Sequence, residues 1–176
     1  LKEISKQIFN QIGKGINVSF WKDIAFSISK HYQKNSDCKK IAVINKITNR
    51  RGLARISKSP GRTRELNYFS YDEKTHIVDL PGYGYAKVPQ RIRDTWAEMI
   101  EEFLLEDKLK LVVLIVDARH EPTKLDCQMA EWMAHNQIPF QVVATKVDKV
   151  KKSKIAGNLS DLTRAFKVES VLPFSA

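Results

Sequence analysis

The sequence predicts an α/β protein: a doubly wound, mostly parallel six-stranded sheet flanked by helices. Two features of the sequence predict it. The first is a set of continuous apolar, β-branched runs, best seen in "LVVLIVDA" (111–118), which is how a strand buried on both faces reads. The second is the regular alternation of such runs with segments of helical periodicity, the layout of a parallel sheet with crossover helices. A chain of 176 residues, 43% hydrophobic and 28% charged, is long enough to fill one such core.

Taken in order, the elements divide at residue 40. In the first part Ile4, Ile8 and Ile12 recur at four-residue spacing, "GKG" breaks the pattern, and Trp21, Ile24 and Ile28 resume it behind Ser19 as an N-cap. Residues 1–40 therefore read as two short amphipathic helices, a packed appendage of unknown role rather than a membrane-surface anchor. The main domain is expected over 41–176. It opens with a strand, Ile41–Val43, running into a helix, Ile44–Asn49. "LNYFSYD" (66–72) and "THIVDL" (75–80) read as a hairpin. Helices are expected over Arg91–Asp107 (Ile92, Trp96, Met99, Ile100, Phe103, Leu104), Thr123–Gln137 (Leu125, Met129, Trp132, Met133) and Ser153–Phe166 (Ile155, Leu159, Leu162, Phe166). Their aromatic and Met stripes are core positions. "PFQVVATKVD" (139–148) and "SVLPFSA" (170–176) supply the last strands, and a further helix is expected beyond 176 to cover the sheet.

Several function classes drop out on composition. No run of 18 apolar residues exists and the N-terminus has no signal-peptide block. Cys38 and Cys127 lie far apart, as expected of idle thiols in a cytoplasmic protein, and His31, His76, His120 and His135 fall in no metal spacing. A protein-built zinc site is not expected. The net charge of +10 favours a polyanionic partner over a merely solvated basic surface.

In a doubly wound sheet, ligands sit at the carboxyl ends of the strands. Asp79, Asp117, Thr145–Asp148 and Ser175–Ala176 all fall there. In "DLPG" (79–82), a strand-end carboxylate can hold Mg2+ through water, and the glycine lets a backbone N–H approach a terminal phosphate; a tight turn reads the same way. In "TKVD" (145–148), Asp148 can accept from the N1–H and N2–H2 of guanine, and the Lys146 stem can lie over a base face; a capped helix start is the alternative. "SPGRTRE" (59–65) places a hydroxyl, Thr63, among basic residues, suited to an Mg2+ shell or simply to a Pro-Gly turn.

Order and spacing raise all three. The stretches "GLARISKSPGRTRELNYF", "VDLPGYGYAKVP", "LIVDARH", "ATKVD" and the closing "FSA" resemble the EngB family of bacterial ribosome-assembly GTPases, from Ile41 to Ala176 and not over 1–40. The resemblance implies a P-loop GTPase-like fold with GTP or GDP as ligand and Mg2+ as cofactor. Gly61, Arg62, Thr63, Arg64 and Glu65 would form the first switch, with Thr63 a direct Mg2+ ligand. Asp79, Leu80, Pro81 and Gly82 would form the second, with Asp79 reaching Mg2+ through water. Thr145, Lys146, Val147 and Asp148 would read guanine, and Phe174, Ser175 and Ala176 would present backbone N–H groups to its O6. Tyr83 stands where many GTPases place a Gln. Slow intrinsic hydrolysis is therefore expected, with a catalytic group supplied by a partner or a cation. No catalytic base can be named from the sequence.

The family role implied is that of a cytoplasmic, monomeric assembly factor for the large ribosomal subunit, needed for normal division and septation. Arg50, Arg51, Arg55 and Lys58, with Lys149, Lys151 and Lys152, are the candidates for rRNA contact. One element of the pattern is missing. A loop of the form G-x-x-x-x-G-K-[ST] is expected between 43 and 44, where a strand would otherwise turn into a helix in zero residues, and β–α connections need roughly two to six. A structure without ordered nucleotide is the corresponding expectation. The alternative is a GTPase-like, RNA-binding module that has lost the loop and works without nucleotide.

Overall fold

A computed structural model describes residues 22–28, 43–45, 66–70, 75–80, 90–106 and 109–175. Six strands form one sheet: β1 (Lys22–Ile28), β2 (Asn67–Ser70), β3 (Thr75–Asp79), β4 (Leu109–Asp117), β5 (Phe140–Thr145) and β6 (Val171–Phe174). Their spatial order is β2-β3-β1-β4-β5-β6. The β2–β3 pair is antiparallel, the expected hairpin, and every other neighbouring pair is parallel. The chain runs outward from β1 to one edge, then crosses to β4 and runs to the other, so the fold is doubly wound with its switch point between β1 and β4.

The middle of the sheet explains itself by composition. Leu111 to Val116 of β4 and Val142 to Ala144 of β5 are buried without a break, because helices cover both faces of a parallel sheet. Three helices supply the cover: α1 (Gln90–Leu104), α2 (Lys124–His135) and α3 (Lys152–Phe166). From α1 come Ile100, Phe103 and Leu104; from α2, Ala130 and Met133; from α3, Leu162 and Phe166. Met129, Trp132 and Leu159 pack against this core from its margin, whereas Leu125 stands 45% exposed, outside the stripe expected of it. The side chains of Ile92 and Trp96 fall outside the described ones. Partial burial raises the Cys127 thiol above its ordinary value, as befits an idle, packed cysteine.

Two readings of the N-terminal part are corrected. The helix expected across Trp21, Ile24 and Ile28 is instead β1, and it lies in the middle of the sheet between β3 and β4, so an appendage is not what these residues form. Lys22 to Phe26 pair with Thr75 to Asp79, and Ile24 to Ile28 with Leu111 to Ile115. Of the strand expected at Ile41–Val43 the described part is Val43, and it is helical together with Ile44 and Asn45; Val43 and Ile44 are buried. A four-residue spacing of apolar side chains over seven residues fits a strand and a helix about equally, so pairing decides. Residues 29–42, between β1 and Val43 in the chain, lie outside the described residues.

Helix α2 starts at a capping box. Thr123 Oγ1 accepts from the Asp126 N–H at 3.2 Å, and Asp126 Oδ2 accepts from the Thr123 N–H at 2.9 Å. The Thr123 hydroxyl also donates to the same carboxylate oxygen at 2.8 Å, and Asp126 is fully buried. Thr123→Ala is expected to lower unfolding stability by about 1–2 kcal/mol in a urea titration. A loss under about 0.3 kcal/mol would mean that the box does not hold this helix start.

Candidate functional site

The register lines up the polar residues at one end of the sheet. Asp117, the last residue of β4, is opposite Thr145, the last of β5, which in turn is opposite Phe174, the last of β6. On the far side of β1, Asp79 ends β3 opposite Phe26. All four strand ends thus face the crevice in which this architecture binds ligands.

Thr145 ties two strand ends together. It is buried, its hydroxyl donates to the Val116 carbonyl at 2.8 Å, and its own carbonyl accepts from the Ala118 N–H at 2.9 Å. It welds the end of β5 to the end of β4. The chain then turns sharply: Lys146 adopts a left-handed conformation at φ 63°, uncommon for a residue with a Cβ, and a single 3-10 turn follows over Val147–Lys149. Hydrogen bonds from the Lys149 N–H to the Lys146 carbonyl (3.0 Å) and from the Val150 N–H to the Val147 carbonyl (3.1 Å) close it.

This turn presents Asp148 to solvent at the sheet's end. Oδ1 accepts from the Ser175 hydroxyl at 2.9 Å, and Oδ2 lies 3.3 Å from the Lys149 ammonium. The Ser175 hydroxyl, and after it Lys149, hold the Asp148 carboxyl below the usual carboxylate range. Asp148 is therefore a fixed, ionised double acceptor. Guanine offers two adjacent donors on one edge, N1–H and N2–H2; adenine has a bare N1 there, and its lone pair would face the carboxylate. The sequence placed Asp148 and Ser175 separately, 27 residues apart; the structure joins them.

Under the turn lies a buried charge. Asp117 is fully buried, and Arg119 grips it with both prongs: Nε donates to Oδ1 at 2.9 Å and Nη2 to Oδ2 at 2.8 Å, while the Arg119 backbone N–H adds 3.1 Å to Oδ1. The Lys146 ammonium stands 3.4 Å from Oδ2. The hydrogen bond to Asp117 raises the Arg119 guanidinium above its already high value. Asn158 of α3 donates to the Ala118 carbonyl at 2.9 Å, tying the third helix to the same strand end. Sequence reasoning gave Asp117 no role and passed over Arg119 and Asn158. The only signal was an acid and an arginine two residues apart at a strand end.

At the other end of the crevice, Asp79 is partly buried with its Oδ1 shielded from solvent, and Leu80 is fully buried. A strand-end carboxylate of this kind suits Mg2+ held through its own water shell. Among the described residues no group of three His, Cys, Asp or Glu could hold an ion directly. Gly61 to Glu65, Pro81, Gly82, Tyr83 and Ala176 lie outside the described residues, as do Arg50, Arg51, Arg55 and Lys58. Lys149, Lys151 and Lys152 are exposed beside the turn.

Residues 29–42, between β1 and the helical residues 43–45, read "SKHYQKNSDCKKIA" and hold no glycine. The pattern G-x-x-x-x-G-K-[ST] occurs nowhere in the chain.

Comparison with known proteins agrees with this geometry. A family model described as a 50S ribosome-binding GTPase matches residues 40–146. The chain is 47% identical over 139 residues to the Probable GTP-binding protein EngB of Pelotomaculum thermopropionicum, an alignment covering 78% of this chain and 70% of that one. It is 49% identical over 120 residues to the protein of the same name from Ligilactobacillus salivarius, covering 68% of this chain and 61% of the relative. In three dimensions it resembles the crystal structure of a probable GTP-binding protein engB, with a TM-score of 0.64 at 22% identity over 87% of this chain and 88% of the other. It also resembles Era in complex with MgGDPNP and nucleotides 1506-1542 of 16S ribosomal RNA, with a TM-score of 0.57 at 18% identity over 88% of this chain and 51% of that one. At these identities the two structures speak for the fold.

Proposed function

The chain belongs to the EngB family of GTP-binding proteins, a family of GTPases, and from that premise we propose that it is a cytoplasmic assembly factor for the large ribosomal subunit, required for normal septation. The observation that carries the nucleotide half is Asp148, ionised, exposed and fixed by Ser175 at the mouth of the crevice. Family membership favours this reading over a module that works without nucleotide.

The proposed division of labour follows from the strand ends. Asp148 and Lys146 hold the base, with Phe174, Ser175 and Ala176 supplying backbone donors to O6. Thr63 and, through water, Asp79 would hold Mg2+, which would supply neutralisation of phosphate charge. Arg62 and Arg64 flank Thr63 in the first switch segment, Gly61 to Glu65, and Leu80 to Gly82 continue the second. With Tyr83 in place of a Gln, water is not oriented by an amide side chain. Release of phosphate from GTP by the chain alone is therefore slow, and addition of large ribosomal subunits speeds it.

The partner half rests on charge. Lys149, Lys151 and Lys152 are exposed next to the base-reading turn, Arg50, Arg51, Arg55 and Lys58 complete the basic set in sequence, and the net charge is +10. The 16S ribosomal RNA bound by Era, which shares this fold, supports rRNA as the type of partner. No helix among the described residues is long and apolar enough to cross a membrane. The test is a titration of large-subunit rRNA at several salt concentrations. Each phosphate contact contributes roughly 0.7–0.9 to the slope of log affinity against log salt. Lys151→Ala combined with Lys152→Ala is expected to flatten that slope by about one to two. An unchanged slope would remove this face from the RNA interface.

A further inference from the structure

We infer that Asp117, locked by Arg119, is a positioning residue that holds the guanine-reading turn in its binding form before any nucleotide arrives; this rests on the reading of Lys146 and Asp148 given above. Three observations meet here. Lys146 sits in a left-handed backbone conformation that a non-glycine residue adopts only when its surroundings insist on it. Its ammonium lies 3.4 Å from the carboxylate of a fully buried aspartate. That aspartate cannot turn away, because a bidentate guanidinium and a backbone N–H fix both of its oxygens, at 2.9, 2.8 and 3.1 Å.

The backbone bonds of the turn do not account for this arrangement by themselves. The Lys149 and Val150 N–H groups close the turn once it exists, and the Thr145 carbonyl is held from Ala118. None of these sets the direction of the Lys146 side chain. Asp117 does, and this gives a reason for a charge at a depth where an unpaired carboxylate would be expelled. Among the described residues two cations face it, Arg119 from its own segment and Lys146 from the end of β5, with Asp148 farther out acting on Arg119 through space. A base arriving at Asp148 thus finds the lysine stem already over its plane and loses less side-chain freedom on binding.

Asp117→Asn keeps the shape and removes the charge. In the nucleotide-free protein, amide hydrogen exchange at Lys149 and Val150 should then quicken at least tenfold, while Val142 and Val143 of β5 stay as protected as before. Affinity for guanosine diphosphate should fall at least tenfold. Gln141→Leu is the control. Its amide Nε2 donates to the Ser170 and Val142 carbonyls, both at 3.1 Å, at the opposite end of β5, so it lowers stability without reaching the turn. Lys146→Met serves as a second variant, since it removes the ammonium and spares the buried carboxylate–guanidinium pair; it should reproduce the exchange effect even if Asp117→Asn does not fold. Unchanged exchange at Lys149 and Val150, or a uniform rise at all amides like that of Gln141→Leu, overturns the inference. Failure of the unmodified chain to bind guanosine diphosphate would overturn the proposed function instead, and the exchange comparison would still decide this one.

Discussion

Asp148→Asn is expected to exchange guanine for xanthine. The carboxylate presents two acceptors, and guanine answers with two donors. Asparagine presents one acceptor and one N–H2, so a donor would face the N2–H2 of guanine. Xanthine keeps N1–H but carries a carbonyl at C2, which matches the amide. Loss of one charge-assisted bond and creation of one unsatisfied polar pair act in the same direction. Affinity for guanosine diphosphate should fall by roughly 10²–10³, and that for xanthosine diphosphate should rise by a similar factor. Because Asp148 is exposed and held by Ser175 and Lys149 at the surface, unfolding stability should be essentially unchanged. Parallel titrations with the two nucleotides check this. A loss of guanosine diphosphate affinity under about threefold would show that Asp148 does not read the base.

The second large effect is a gain. Replacing residues 29–42 by a loop of the G-x-x-x-x-G-K-[ST] type should raise affinity for GTP and GDP by about 10² or more and accelerate hydrolysis. A phosphate cradle needs successive backbone N–H groups converging on the anion, with glycines where a Cβ would block the approach, and a hydroxyl placed for Mg2+. The native segment carries Lys30, Lys34, Lys39 and Lys40, which attract phosphate as point charges, but no glycine. The anchors for the graft are in place: β1 ends at Ile28 between β3 and β4, and Val43 and Ile44 are buried in a helical conformation. The informative quantity is the ratio of affinities for guanosine diphosphate and guanosine. It should be within about tenfold in the native chain and about 10³ in the graft. A native ratio already near 10³ would mean that another part of the chain supplies the cradle.

Legibility in the sequence followed burial. β4 and β5 are covered on both faces, so their own composition announces them; no partner is needed to recognise "LVVLIVDA" or "QVVAT" as strands. The helices α1, α2 and α3 were read to within a few residues because two or three turns of apolar periodicity accumulate evidence. Local chemistry was legible for the same reason: "TKVD" follows its strand directly, so Asp148 could be placed at a strand end without knowing the neighbours. Thr123 was expected only as the first residue of a helix, and its bond to Asp126, three residues on, is of the same local kind.

What escaped the sequence was set by partners distant in the chain. "KDIAFSI" carries a lysine, an aspartate and a serine among its apolar residues, and its spacing fits a helix as well as a strand; it becomes β1 because the gap between β3 and β4 is filled by pairing with residues about 50 and 90 positions away. Likewise the grip of Arg119 on Asp117 could have been guessed from their spacing, but the reach of Asp117 to Lys146, and that of Ser175 to Asp148, span 29 and 27 residues. The sequence by itself determined that there is a parallel sheet and which of its strand ends carry the polar residues. Only the tertiary structure decided which segment is the central strand and that Lys146 lies against the buried Asp117, because both depend on pairings between residues that no local period connects.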